Sequence, residues 1–155
     1  MKKHILLFLT VALTAIIFIH SSMSAEISTA ESDTALGILE RLLQLVHIPS
    51  FFTSASIRKA AHFVQFAAFG TLLTCTSVAY CGRIKPQIFR ILFFMLAVPV
   101  TDEFIQYFSV GRSSQVSDVL LDFSGCITGL LLVIAILAVI HRLHNSKERK
   151  TMKTG

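Results

Sequence analysis

The sequence predicts an all-α membrane protein: a polytopic helix bundle of four transmembrane helices, with one amphipathic helix on the outer side. Three observations carry this expectation. Apolar residues make up 54% of the 155 positions, and Asp, Glu, Lys and Arg only 15%, against about 25% charged residues in an ordinary soluble domain. Four apolar runs approach the length that a hydrocarbon core about 30 Å thick asks of a helix. None of them alternates apolar and polar residues as barrel strands do, and backbone groups in lipid must be bonded internally, which leaves helices. The 13 Phe and the low charge exclude a disordered chain. The net charge of +5 has the sign of a nucleic-acid binder, but so sparse a charge argues against nucleic acid as a partner. A single domain over residues 1–155 is expected.

The first span covers about residues 5–20, behind Lys2 and Lys3. This basic start, a short apolar run and the small residues Ser22 and Ser24 also describe a cleavable signal peptide. An outer segment, residues 21–56, follows. Its first part, SSMSAEISTAESD, is small and polar and reads as turns. From Asp33 to Ile48 the residues Leu36, Leu39, Leu42, Leu43 and Val46 recur at helical spacing, with Asp33 as N-cap and Pro49 as the stop. The second span is expected at 57–80, the third at 88–108 and the fourth at 118–140, before a basic tail at 141–155. Cys75, Cys81 and Cys126 are too few for a disulfide framework and lack zinc-ligand spacing, so no metal site or cofactor is assigned.

Lys and Arg fix the expected orientation. With the N-terminus inside, ten of the fourteen lie on the cytoplasmic side and only Arg41, Arg58, Lys59 and Arg112 outside. Both termini are therefore expected in the cytoplasm, the chain crossing the plasma membrane several times. The cytoplasmic part carries +9 and the outer part −4.

The outer charges break apolar runs. Asp102 and Glu103 stand in the third span, Asp118 and Asp122 in the fourth. An ionisable group at membrane depth costs about 2.5–3.5 kcal/mol on insertion scales and usually faces the bundle interior. At 1.5 Å per residue, Asp102 lies about 9 Å below the outer end of its helix and Asp122 about 6 Å below Asp118. Arg58, Lys59 and His62 fall in the same layer on the second span, and Arg112 and Ser113 in the loop beside it. Arg58 and His62, Asp102 and Gln106, and Asp118 and Asp122 are each four residues apart, so each pair occupies one helix face. Three faces thus meet around one outer pocket. Snorkelling of the cations and capping by Asp118 would explain single members of the set. Gly125 and Gly129 read as close-packing positions on the fourth span.

These residues form a familiar series. Arg58-Lys59-Ala60-Ala61-His62-Phe63, then Asp102-Glu103-Phe104-Ile105-Gln106, then Gly111-Arg112-Ser113, then Asp118 with Asp122 and Gly125, resemble the VanZ-like family in order and spacing. The resemblance implies a small multi-spanning bacterial membrane protein, associated through the family with low-level resistance to the lipoglycopeptide teicoplanin, and it favours an uncleaved first helix. Two departures stand out. Gln65 and Phe66 occupy positions where the family often has an acid and an aromatic hydroxyl, and Asp122 stands where many members carry Asn.

Three functions remain open on sequence. The protein binds or modifies a cell-envelope lipid, glycolipid or lipoglycopeptide, with Arg58, Lys59 and Arg112 on an anionic head and Gln106, Ser113, Asp118 and Asp122 completing the binding set. Alternatively it is an intramembrane hydrolase or transferase, with His62 as acid/base and Asp102 or Glu103 orienting it or holding a divalent metal. A transport or scaffold subunit is the third reading.

Overall fold

A computed structural model describes residues 2–45 and 52–154. Five α-helices and a short 3-10 turn account for nearly all of them: α1 (Lys2–Ser21), α2 (Ala25–Leu45), α3 (Ser54–Cys81), the turn Lys85–Gln87, α4 (Ile88–Phe108) and α5 (Val116–Thr154). There are no strands among the described residues. The helix bundle is the fold that the hydropathy pattern requires.

Burial runs opposite to that of a soluble domain. Phe8, Phe89, Phe93, Phe104, Phe108 and Leu143 are exposed, while Asp102, Glu103, Gln106 and Asp122 are buried. Apolar side chains outside and polar ones inside suit a hydrocarbon solvent. Among the described residues, three helical stretches are long and apolar enough to cross a membrane: Lys2–Ser21, Ser54–Cys81 and Val116–Ser146. The expected third span, α4, has 21 residues but falls outside that set. It carries Arg90, Asp102 and Glu103, and both acids are buried.

Local chemistry sets the helix ends. Thr53 and Ser56 form a capping box at the start of α3, satisfying two otherwise orphaned backbone donors. Gly82 ends α3 in the left-handed region at φ 71°, its N–H donating to the Val78 carbonyl at 2.7 Å. The donor-free Pro99 lies inside α4, yet that helix runs unbroken through it.

One expectation needs correction. α2 begins at Ala25 rather than Asp33, so the supposed turn segment is helical from Ala25 on and Asp33 is not an N-cap. Ser28 and Ser32 are buried on its packed face, where small side chains allow contact with α3. Leu36 and Leu39 are half-buried on the same side, but Leu42 stays exposed. Val46, Ile48 and Pro49 lie outside the described residues. The basic tail is helical as well: α5 continues from its apolar part through Thr154.

The most extensive helix contact joins α3 to α5. A side chain at Gly125 would come within 2.6 Å of the Phe63 carbonyl oxygen, and one at Gly70 or Gly129 would collide with the backbone of Cys126 or Ala67. Only glycine allows so close an approach. Around the junction lies an apolar core including Phe66, Phe69, Ile91, Met95, Cys126 and Leu130. This packing fixes how the polar residues on α3 face those on α5.

Candidate functional site

The polar residues meet at the end of the bundle where α1 finishes and α5 begins. Three backbone ties shape this end. Ala25 N–H donates to the Val110 carbonyl at 3.0 Å, Ser109 Oγ donates to the Ser21 carbonyl at 2.8 Å, and Arg112 reaches the His20 carbonyl at 3.5 Å. Together they clamp the α4–α5 loop onto the α1–α2 junction. Gly111, at φ 76°, makes the turn that carries Arg112 inward.

A cavity of about 310 Å³ opens here. α3 contributes Arg58, Lys59 and His62 to its wall, α4 contributes Glu103 and Gln106, the loop Arg112, Ser113 and Gln115, and α5 Asp118 and Asp122. Nine of the ten residues singled out from sequence line this space. The tenth, Asp102, lies behind the wall and is fully buried. Gln65 does not line the cavity, and Phe66 is buried with its ring stacked on His62 at 6.3 Å between centroids.

The acids differ in their surroundings. Ser21 Oγ donates to one Asp102 oxygen, and Gln106 Nε2 donates to the other at 2.7 Å. Glu103 Oε2 accepts from the Gln115 backbone N–H at 2.9 Å, tying α4 to the residue that starts α5. Asp118 sits in the first turn of α5, 3.6 Å from Lys59 Nζ, rather than at the N-cap position. Its negative charge there also complements the helix dipole. Asp122 is wholly buried, and neither of its oxygens makes a hydrogen bond. His62 faces it, with Nδ1 3.5 Å from Asp122 Oδ2.

The partner of His62 is therefore Asp122, with Asp102 close by. One ligand-type atom from each of the three lies within 4.8 Å of the others. Glu103, the other acid considered as a partner for His62, is engaged with Gln115.

The cations are less fully matched. Arg58 makes no ion pair among the described residues. Arg112 has a buried Nε without a hydrogen-bond partner. Burial, and then the like charge of Arg58, pull the Arg112 pKa below the ordinary guanidinium range.

The family model described as VanZ/LLP1 matches residues 6–139. The chain belongs to this family. Comparison with curated proteins and with solved structures returned no match. The matched stretch takes in every residue that lines the cavity of this VanZ-like chain.

Ser21, Ala25 and Gln115 are the participants that sequence reasoning passed over. Ser21 and Ala25 were legible only as small residues after a span, because nothing local signals that one bonds Asp102 and the other meets Val110. Gln115 acts through its backbone, which no side-chain pattern reports.

Proposed function

We propose that the cavity receives the anionic, phosphate-bearing head of a cell-envelope lipid at the extracytoplasmic face of the membrane. The observation that carries this reading is a pair of guanidinium groups with unused donors: Arg112 has a buried, unpartnered Nε, and Arg58 makes no ion pair among the described residues. An anion held between them relieves both the mutual repulsion and the burial cost that depress the Arg112 pKa. Guanidinium groups also match phosphate oxygens with two parallel hydrogen bonds, which a lysine does not.

The face is assigned from charge: ten of fourteen Lys and Arg fall on the opposite side of the bundle when both termini are cytoplasmic. Exposed aromatic side chains such as Phe104 and Phe108 on α4 offer the lipid tail an apolar path beside the cavity. A lipoglycopeptide such as teicoplanin carries a fatty-acyl chain, so its capture at this site is a variant of the same reading and would link the cavity to resistance.

Protein in nanodiscs is titrated with a polyprenyl phosphate, with phosphatidylcholine as the neutral control. Arg112→Ala is expected to weaken binding about tenfold or more, a loss of about 1.4 kcal/mol or more, in a protein that still unfolds cooperatively. Arg112→Lys restores part of it. Equal affinities for wild type and Arg112→Ala would reject the proposal. In cells, the same substitution is expected to lower teicoplanin tolerance at unchanged membrane abundance.

A further inference from the structure

We propose that His62, Asp102 and Asp122 bind one divalent transition-metal ion, of the class of Zn²⁺ or Mn²⁺, beside the polar cavity. Each residue comes from a different helix, α3, α4 and α5. One ligand atom from each lies within 4.8 Å of the other two. Nitrogen and oxygen ligands stand about 2.0–2.2 Å from such an ion, which puts two of them about 3.3–3.6 Å apart at tetrahedral angles. The His62–Asp122 pair already stands at 3.5 Å, and a closing movement of about 1–1.5 Å at the longest separation completes the three-ligand set.

Clustered acids alone do not make a metal site. The second observation is Asp122: the side chain is wholly buried, lines the cavity, and has two oxygens without a hydrogen-bond donor. A bare carboxylate away from water is among the costliest groups a protein can keep. His62 Nδ1 faces it at 3.5 Å, beyond a good hydrogen bond but close to the separation of two ligands on one tetrahedral ion. Asp102 shows the complementary feature. Its oxygens already accept from Ser21 and Gln106, the kind of outer donors that orient a metal-bound carboxylate.

Charge supports the same assignment. Two carboxylates, a neutral imidazole and a 2+ ion sum to zero, whereas two bare carboxylates in a low-dielectric interior repel strongly. Mixed imidazole and carboxylate donors suit Zn²⁺ and Mn²⁺ better than the all-oxygen sites that hold Ca²⁺. Three protein ligands leave a coordination position open, and both His62 and Asp122 border the cavity. The site is independent of whether a lipid head occupies that cavity.

The test uses full-length protein, purified in detergent, stripped with a chelator and titrated with Mn²⁺. The expected result is one Mn²⁺ per chain, displaced by excess Zn²⁺, with the ¹⁴N coupling of a single imidazole in its electron spin-echo spectrum. Asp122→Asn is expected to weaken binding by about 100-fold, and His62→Ala to remove the ¹⁴N signal. The wild-type spectrum reports the imidazole by itself, so the outcome does not depend on either variant folding. Absence of saturable Mn²⁺ or Zn²⁺ binding up to about 1 mM by folded wild type overturns the proposal. Bound Mn²⁺ without ¹⁴N coupling, or resistant to excess Zn²⁺, overturns it equally.

Discussion

Asp102 and Glu103 are neighbours in sequence and serve different parts of the structure. Asp102 is bonded by Ser21 of α1 and Gln106 of its own helix, whereas Glu103 accepts from the backbone that begins α5. The second contact asks for an acceptor oxygen and not for a charge. Glu103→Gln is therefore expected to retain stability to within about 1 kcal/mol, while Glu103→Ala costs about 1–2 kcal/mol through the lost cap. Thermal unfolding in detergent separates the two, and an equal loss in both would mean the charge itself matters. Ser21→Ala removes a donor to a buried acid and is expected to cost about 1.5–3 kcal/mol. The exposed neighbour Ser22 offers the control, its replacement by Ala changing stability by about 0.5 kcal/mol at most. Depth along the helices was enough to place the acids in one layer from sequence. It did not reveal which acid would be bonded and which left bare, because that depends on Ser21 and Gln115, residues brought in by loop geometry.

At the level of elements, α3, α4 and α5 could be read from hydropathy because long apolar runs have few alternatives in lipid. α2 could not. Its first turns hold Ser28, Thr29, Ser32 and Asp33, whose propensities are weak and whose side chains compete for backbone groups, and burial of Ser28 and Ser32 decides the matter instead. The glycines divide in the same way. Gly129→Ala forces a methyl group into the Ala67 and Thr71 backbone of α3, an overpacking expected to cost about 1–3 kcal/mol. Gly37, inside α2, has open space around it. Its replacement by Ala is expected to stabilise the protein by about 0.5–1 kcal/mol through helix propensity. Denaturant titration of the two variants gives opposite signs if the α3–α5 approach is as close as described. The continuation of α5 to Thr154 was not foreseen, since a basic tail of this composition reads equally well as solvated coil.

For the molecule as a whole, the division of Lys and Arg between its two ends is the basis of the proposed orientation. If both termini are cytoplasmic, a fluorescent protein fused after Gly155 fluoresces. In the same orientation, alkaline phosphatase inserted after Glu40 is active. Activity in the reverse pattern would turn the site toward the cytoplasm and remove the basis for an outer-leaflet ligand. The glycine-packed α3–α5 pair also divides the cavity mechanically. Arg58, Lys59, His62, Asp118 and Asp122 ride on that tightly joined pair, a fixed jaw. Glu103, Gln106 and the Arg112 loop belong to α4 and its link, whose contacts with the pair are far less extensive, and they form the more loosely packed jaw. A cation held by His62, Asp102 and Asp122 would act as a clasp between the two. At about 100 times its dissociation constant it would add about 2.7 kcal/mol to stability, raising the melting temperature, and would slow hydrogen exchange in α4 more than in α3 or α5.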